Sequence, residues 1–446
     1  MKPRSWSFGV LECWVAIALA GAGLAQEKPD PPQPIDLATA LRLAGAQSLD
    51  IQLAREKLAE ARAHQTSARA QFFPWLAPGV GYRRHDGNTQ AVTGEILDVS
   101  KQSYTVGAGL TAQVDLGDAL YKALAARQLV KAADHALAVQ QQNAVLAAAQ
   151  NYFALAQAQA AVGVAREAVR ISQDYEEQVG QAVAAGLALK GDALRVRVQT
   201  ERNHLALRQA QEQQRLAAAR LAQTLRLDAT VDLLANESEL APLALVETNT
   251  PLKALVAQAL AARPELKQGA ALVEAARTSQ NNARYGGLVP TLNAQVFAGG
   301  LGGGVDGAWG NFGNSEDYFV GVSWRLGPGG LFDPGRLRAA EAQVRGTQIL
   351  AEKVRDDISR QVVEAQARVQ SQGDQLATAQ RALATAEESL NLSRQRRQFA
   401  IANVLENIQA GQDLTRARRD YLAAIAAFNQ AQYALRHALG ALAAQP

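Results

Sequence analysis

Two kinds of hydrophobic periodicity alternate along the chain, and each combination occurs twice. Apolar residues at every second position predict β-strands, and apolar residues about every 3.5 positions predict long helices. The strand-like segments form two pairs, at about residues 74–116 and 290–326. Two long helical segments follow each strand pair, at about 117–181 and 192–225 and at about 337–399 and 405–443. Shorter helical segments precede the strand pairs, at about 37–46, 49–72 and 254–284.

The strand segments have one apolar face and one small or polar face. On the second strand the apolar positions are Tyr104, Val106, Ala108, Leu110, Ala112, Val114 and Leu116. The fourth strand shows the same alternation at Tyr318, Val320, Val322, Trp324 and Leu326. We expect a polar loop over about residues 85–102, and a flexible external loop at the glycine-rich run 299–307.

The last two helices show how they pack. Their apolar residues recur every seven positions, with alanines beside them, which is the pattern of a left-handed coiled-coil seam. The recurring positions are Val362, Val369, Leu376, Leu383 and Leu390 on one helix and Leu414, Tyr421, Phe428, Leu435 and Leu442 on the other. Polar side chains fill the remaining faces, so both sides of such a helical wall can be solvated.

The chain carries an internal duplication with an offset of about 215 residues. Three anchors support it: Asp50-Ile51 with Glu265-Leu266, Pro74 and Leu76 with Pro290 and Leu292, and Leu225 with Leu439. We therefore divide the chain into a first repeat (37–227), an irregular connector (228–253), a second repeat (254–442) and a short tail (443–446).

The N-terminal 25 residues have a basic start, an apolar stretch and small residues before Ala25, which predicts a secretory signal peptide. An N-terminal membrane anchor is the alternative, and Glu12 argues against acylation of Cys13, the only cysteine. Residues 26–36 are predicted to form a proline-rich linker that does not pack. No later segment has the length and apolarity of a transmembrane helix.

Composition excludes several functions. The chain is 48% apolar but only 5% aromatic, which suits long alanine-rich helices. A net charge of +3 gives no reason to expect nucleic acid as a partner. The five histidines lack metal-ligand spacing, and no catalytic constellation stands out, so we expect neither a cofactor nor an enzyme.

Four strands of this kind predict a membrane pore that one chain cannot complete. Strands of about 10 residues with apolar-out and polar-in alternation are typical of outer-membrane barrels, which need at least about eight strands. Three copies would give a 12-strand barrel. The alternative is a soluble sandwich with one buried face.

The whole pattern resembles the TolC-like outer membrane efflux protein family. The resemblance covers Leu37 to Leu442 and rests on the duplicated layout, the ARPEL turn at 262–266, FFPWL and LVPTL before the strands, and the ending YALRHALG. It implies a mainly α homotrimer: a 12-strand barrel continued by a coiled-coil tunnel through the periplasm, with the connector as a girdle. It also implies a passive exit duct of a tripartite efflux or type I secretion system, working with a periplasmic adaptor, an inner-membrane transporter and outer-membrane lipid.

The resemblance places functional residues at the helix ends far from the strands. Gate candidates are Glu406, Gln409 and Asp192, although Glu406 and Asp192 could simply stabilise helix N-termini. Candidates for adaptor docking are Ala185, Gly186, Leu187, Ala402, Asn403 and Val404. Trp75 and Trp324 are candidate anchors at the membrane interface. The second repeat has Ala400 where the first has Gly186 in the turn, which leaves the tip conformation open.

Two other functions stay open at this point. A secreted coiled-coil scaffold or surface protein without a pore would explain the heptads but not the two strand pairs. An envelope hydrolase would need a catalytic constellation. The sequence does not name the cargo.

Overall fold

A computed structural model describes most of the chain, and the fold is drawn from the described residues. These are residues 33–228, 230–236, 240–247, 250–327, 330–398 and 404–442. The predicted signal peptide, Ala402 and Asn403 lie outside them.

Helices dominate the fold. The first half contains α1 (Leu37–Gln47), α2 (Leu49–Ala70), α3 (Leu116–Ala184) and α4 (Lys190–Leu225). The second half contains α5 (Leu252–Ala262), α6 (Pro264–Tyr285), α7 (Pro334–Gln398) and α8 (Val404–Ala438). At 1.5 Å per residue, the 69 residues of α3 span about 100 Å. Within the described part of the chain, none of the helices combines the length and apolarity needed to cross a bilayer.

Four strands form one antiparallel sheet in the order β2-β3-β5-β6. They are β2 (Trp75–Gln90), β3 (Ile96–Asp115), β5 (Thr291–Val305) and β6 (Gly313–Ser323). Since paired residues share a face, the register aligns Leu76, Leu110, Val296 and Tyr318 in one row of the apolar face. β2 and β6 are the edge strands and have one paired neighbour each.

The predicted loops were too long. Residues 85–90 continue β2, and residues 96–102 already belong to β3, so only five residues connect the strands. The glycine-rich run is also mostly strand, because β5 continues to Val305. In the second pair, β6 ends at Ser323, so Trp324 and Leu326 lie beyond the strand.

The segment between β5 and β6 folds back onto the sheet, and its position explains why glycine occurs in part of the run at 299–307. Residues 306–312, between β5 and β6, place Phe312 over the ring of Tyr104, with centroids 5.7 Å apart. Tyr104 and Gln102 hold this segment by hydrogen bonds to the carbonyls of Trp309 and Ala308 at 2.9 Å. A Cβ on Gly300 would overlap Phe312. Glycine therefore leaves room for the aromatic ring above the sheet.

The predicted heptad seams are buried or partly buried. Val362 and Val369 of α7 pack against Leu435 of α8 near one end of the helical pair. Leu390 packs against Leu414 near the other end. Small alanines between these residues let the two helices approach closely.

The connector is held to the helices by side-chain amides. Gln159 of α3 accepts from the backbone N–H of Ala235 at 2.9 Å and donates to its carbonyl at 3.3 Å. Asn429 of α8 is fully buried and binds the backbone of Ala241 and Leu243, both at 2.8 Å. These amides satisfy connector backbone groups that would otherwise lack partners.

The last residues of the predicted linker, 33–35, do pack, contrary to the prediction. Gln33–Ile35 (β1) pairs in parallel with Leu233–Ala235 (β4). Ile35 is 6% exposed and joins the largest hydrophobic cluster. The sequence signal was weak because each strand has three residues.

A buried arginine ties α5, α6, α7 and α8 together. Arg263, between α5 and α6, is 3% exposed. Its guanidinium binds the Glu265 carboxylate at 2.7 Å, the His437 carbonyl at 2.9 Å and the Gln361 amide oxygen at 3.1 Å. The predicted ARPEL turn is thus a junction between two helices, organised by this side chain.

His437 should make stability depend on pH. Burial and the adjacent Arg263 lower the pKa of His437 to about 4. The unfolded chain protonates this histidine below about pH 6.5, so the folded state loses stability as pH falls from 6.5 towards 4. We expect a loss of about 2 kcal/mol between pH 7 and pH 5.

Urea unfolding in detergent at the two pH values measures this dependence. His437→Gln should remove about 2 kcal/mol of the difference, whereas His64→Gln, at a side chain that is 74% exposed, should leave it unchanged. An equal pH dependence in His437→Gln and the unsubstituted protein would contradict the assignment.

Candidate functional site: the far ends of the helices and the groove beside them

The helices place their far ends about 100 Å from the sheet. β3 ends at Asp115 and α3 begins at the next residue, so no loop separates sheet from helix. The α3–α4 turn and the α7–α8 turn both lie at the opposite ends of these helices. The described gate and docking candidates lie in the α3–α4 turn or near the starts of α4 and α8.

The α3–α4 turn is a glycine-terminated helix end. Gly186 has φ +73°, and its N–H binds the carbonyl of Val183, while the N–H of Leu187 binds that of Ala182 at 2.8 Å. This is the Schellman arrangement, and it needs the left-handed conformation that glycine adopts readily. Ala185, Gly186 and Leu187 are exposed, with Leu187 at 84%. The turn thus presents an apolar side chain to solvent.

The three gate candidates have different surroundings. Glu406 forms an ion pair with Arg396 of α7 at 2.9 Å. Asp192 forms one with Arg195, in the next turn of α4, at 3.1 Å. Gln409 is exposed on α8. The structure therefore gives both acids a cationic partner, which the sequence interpretation did not foresee.

The start of α8 rests on the end of the α3–α4 hairpin. Val404 and Ile408 pack against Tyr175, Val179 and Val196. Further along, Gln412 of α8 donates a hydrogen bond to the side-chain oxygen of Gln199 of α4. Val404 is thus partly buried, whereas Leu187 is exposed, and the docking role of Val404 stays a prediction.

A groove of about 970 Å³ runs along α3 between α4 and α8. Alanines and amide side chains form much of its wall, and two carboxylates, Glu167 and Asp174, lie among them. Its arginines are Arg170, Arg220, Arg394, Arg416, Arg418 and Arg419. The sequence analysis missed this groove; the spacing of Arg416 and Arg419 on one helix face was the available signal.

The two tryptophans differ in position. The register pairs Trp75 with Thr111, which faces the same side as Gln295, so Trp75 lies on the polar face. Trp324 follows β6, and its indole N–H donates to the Leu288 carbonyl at 3.2 Å. This geometry favours Trp324 over Trp75 as an interface anchor.

In the part of the chain that the structure describes, no three His, Cys, Asp or Glu side chains come together as a metal site. The distinctive chemistry of the helical part therefore lies in its ion pairs and in the arginines of the groove.

A family-wide sequence profile described as outer membrane efflux protein matches residues 40–225 and 255–441. The chain belongs to the outer membrane efflux protein family. Each matched segment of this efflux protein contains one strand pair of the sheet and one long helical hairpin. The resemblance inferred from the sequence is confirmed. A sequence comparison with curated proteins finds no match.

Solved outer-membrane proteins share the fold of this efflux protein. The outer membrane protein VceC from Vibrio cholerae superposes with a TM-score of 0.75 at 18% identity, over 91% of this chain and 96% of that one. The CmeC outer membrane channel of Campylobacter jejuni gives 0.75 at 14% identity, over 98% and 94%. A membrane protein from Pseudomonas aeruginosa gives 0.77 at 18% identity, over 91% and 90%. The mainly helical fold with a smaller sheet is confirmed.

Proposed function

We propose that the efflux protein is the outer-membrane channel of a tripartite efflux or type I secretion system. Three copies would form a 12-strand barrel in the outer membrane and a helical duct through the periplasm. The observation that carries the proposal is a sheet open at both edges and joined directly to a helix, α3, that is about 100 Å long. Exposed strand edges demand a partner, and further copies of the same sheet supply one.

The apolar face of the sheet has the height of a membrane. On β3 it runs from Tyr104 to Val114, ten residues apart. Ten residues of strand measure about 34 Å, or about 26 Å when tilted by about 40°. An outer-membrane barrel has an apolar band about 25 Å tall. The apolar residues above Val114, which is itself buried within the chain, would therefore contact lipid, and the duplicated halves would each contribute two strands.

The partners follow from the far ends of the helices. The exposed Leu187 and Leu189, at 84% and 74%, form an apolar tip that a periplasmic adaptor can cover. An inner-membrane transporter would supply the energy for export, because a passive duct has no energy source of its own. Ala402 and Asn403 stay predicted docking positions.

Purification in mild detergent and reconstitution into planar bilayers test the function. We expect a trimer that migrates differently on gels after heating and that conducts ions. A protein that remains monomeric, with no conductance, would favour the secreted scaffold instead. Cysteines placed on β2 and β6, at Val80 and Val320, extend the test, because they should crosslink between copies and not within one.

Removal of the Glu406 charge should change the resting conductance. Glu406→Gln deletes the ion pair with Arg396. This ion pair links the end of α7 to the start of α8. We expect a larger open fraction or a higher conductance in planar bilayers. Because the pair is about half exposed, the accompanying loss of stability should stay below about 1 kcal/mol.

Asp192→Asn serves as the control for the effect of Glu406→Gln on conductance. Its partner Arg195 lies on the same helix, so the substitution breaks no contact between helices. A conductance change in Asp192→Asn as large as that in Glu406→Gln would count against Glu406 as the specific gate residue.

A further inference from the structure

The groove and the connector lie on opposite faces of α3. Gln159 binds the connector strand β4, whereas Gln157, two residues away, lines the groove. Two residues correspond to about 200° around a helix. Tyr152, on the connector side, is buried in the cluster that contains α1. The bulky segments α1, β1 and β4 therefore cover one face of the helical wall, and the groove occupies the other.

α8 shows the same division. Asn429 and Gln432 bind the backbone of the connector at Leu243 and Val246. Arg416 and Arg419 lie 13 residues before them. Thirteen residues correspond to about 220°, so these arginines point away from the connector face. When such walls close into a tube, the face without the connector is the one that can face inward.

The groove is strongly basic although the chain is nearly neutral overall. Six arginines and two carboxylates line it, whereas the whole chain carries a net charge of +3. Both carboxylates, Glu167 and Asp174, bind the single guanidinium of Arg170 at 2.7 and 3.0 Å. Arg418 pairs with Glu387, and Arg394 interacts electrostatically with Glu167, so among the described residues three of the arginines have no carboxylate partner: Arg220, Arg416 and Arg419.

At the end of the groove near the start of α8, the nearby carboxylate of Glu406 does not offset the positive charge of the arginines. Glu406, which could have formed an anionic ring, is paired with Arg396. Asn407, which lines the groove one residue later, has a buried side-chain oxygen without a hydrogen-bond partner in the structure. An anion that passes the turn thus meets a compensated carboxylate and then a basic wall.

We propose that this groove is the wall of the exit pathway and that its arginines select small organic anions as cargo. The proposal rests on the channel function proposed above. Rings of arginine or lysine favour anions because they offset the desolvation of a passing negative charge. In a trimer the three unpaired arginines of each chain would be repeated three times around the axis, which concentrates the positive potential in a narrow space.

The experiment is the reversal potential of reconstituted channels in a tenfold KCl gradient. We expect chloride to be at least about three times as permeant as potassium in the unsubstituted protein. The combined variant Arg220→Gln, Arg416→Gln, Arg419→Gln should lower that ratio to about one or less. Benzoate, added to one side as a test cargo, should carry measurable current only in the unsubstituted protein.

Arg208→Gln is the matched control. Arg208 lies on α4 like Arg220, is exposed and does not line the groove. The control removes one positive charge from α4 outside the groove, where the triple variant removes three from within it, and it should leave the permeability ratio unchanged. Retention of gel-resistant trimers verifies assembly of every variant.

The outcomes separate the two proposals. A conducting trimer that prefers potassium, or whose ratio the triple variant does not move, overturns anion selection and leaves the channel function intact. A trimer without conductance overturns both. The reversal potential of the unsubstituted protein decides the question even when the triple variant does not assemble.

Discussion

Replacement of Arg263 by alanine is expected to lower the free energy of unfolding by about 3–5 kcal/mol. The substitution removes a guanidinium that is 3% exposed and leaves the Glu265 carboxylate, the His437 carbonyl and the Gln361 amide without their partner. Removing one partner of a buried ion pair costs this much because the other charge stays buried without compensation. Urea unfolding in detergent, followed by circular dichroism, measures the loss.

Arg360→Ala provides the control for this prediction. Arg360 also binds two carboxylates, Asp357 and Glu364, but its side chain is 58% exposed. Its replacement should cost at most about 1 kcal/mol. Arg263→Lys should fall between the two, because lysine keeps the charge but not the fork of donors. Equal losses in Arg263→Ala and Arg360→Ala would refute the role of the buried junction.

Gly117→Ala is expected to destabilise the junction between sheet and helices by about 1–3 kcal/mol. Gly117 lies in the first turn of α3, and a Cβ there would overlap the Gly286 carbonyl oxygen and lie 2.9 Å from its carbonyl carbon. Both groups are backbone, so α3 and the end of α6 would have to separate. Urea unfolding in detergent, followed by circular dichroism, measures the effect.

Gly163→Ala is the opposite case on the same helix. A Cβ on Gly163 meets nothing within 4 Å. Alanine should therefore stabilise α3 by about 0.5–1 kcal/mol, because glycine loses more backbone entropy on forming a helix. If both alanine variants changed stability in the same direction, the close approach at Gly117 would not be the cause of the loss.

The long periodic elements could be predicted from the sequence, because their signals extend over many residues. The seam residues Val362, Val369 and Leu414 are buried as the seven-residue repeat predicted. The strand pairs likewise lie within a few residues of their predicted bounds. A period repeated over several turns leaves little ambiguity about type or face.

Short or polar elements could not be predicted in the same way. Residues 85–90 and 96–102 contain charged and amide side chains, which are typical of loops, yet they continue the strands because the partner strand supplies their hydrogen bonds. Glycines at 299–304 likewise form strand because aromatic rings lie over two of them, Gly300 and Gly302. Tertiary contacts therefore determine that these segments are strand and not loop.

The candidate site was predicted in its location but not in its electrostatics. Gly186 and Leu187 form the exposed turn that the helix break indicated. The partners of Glu406 and Asp192, which are Arg396 and Arg195, were not foreseen. The basic groove also could not be predicted from composition, because acidic residues elsewhere in the chain balance the charge of its arginines.

The join between sheet and helix determines where the molecule can flex. Asp118, in the first turn of α3, binds Asn282 of α6 at 2.7 Å and lies 3.7 Å from Arg336 of α7. Burial raises the pKa of Asp118, but hydrogen bonds from Lys122 and Asn282 outweigh it and hold that pKa below its usual value. The carboxylate thus stays charged and fastens three helices where the sheet ends. In the channel proposed above, widening at the α3–α4 and α7–α8 turns would then come from a change in how the helices twist around one another, while the end next to the sheet keeps its width.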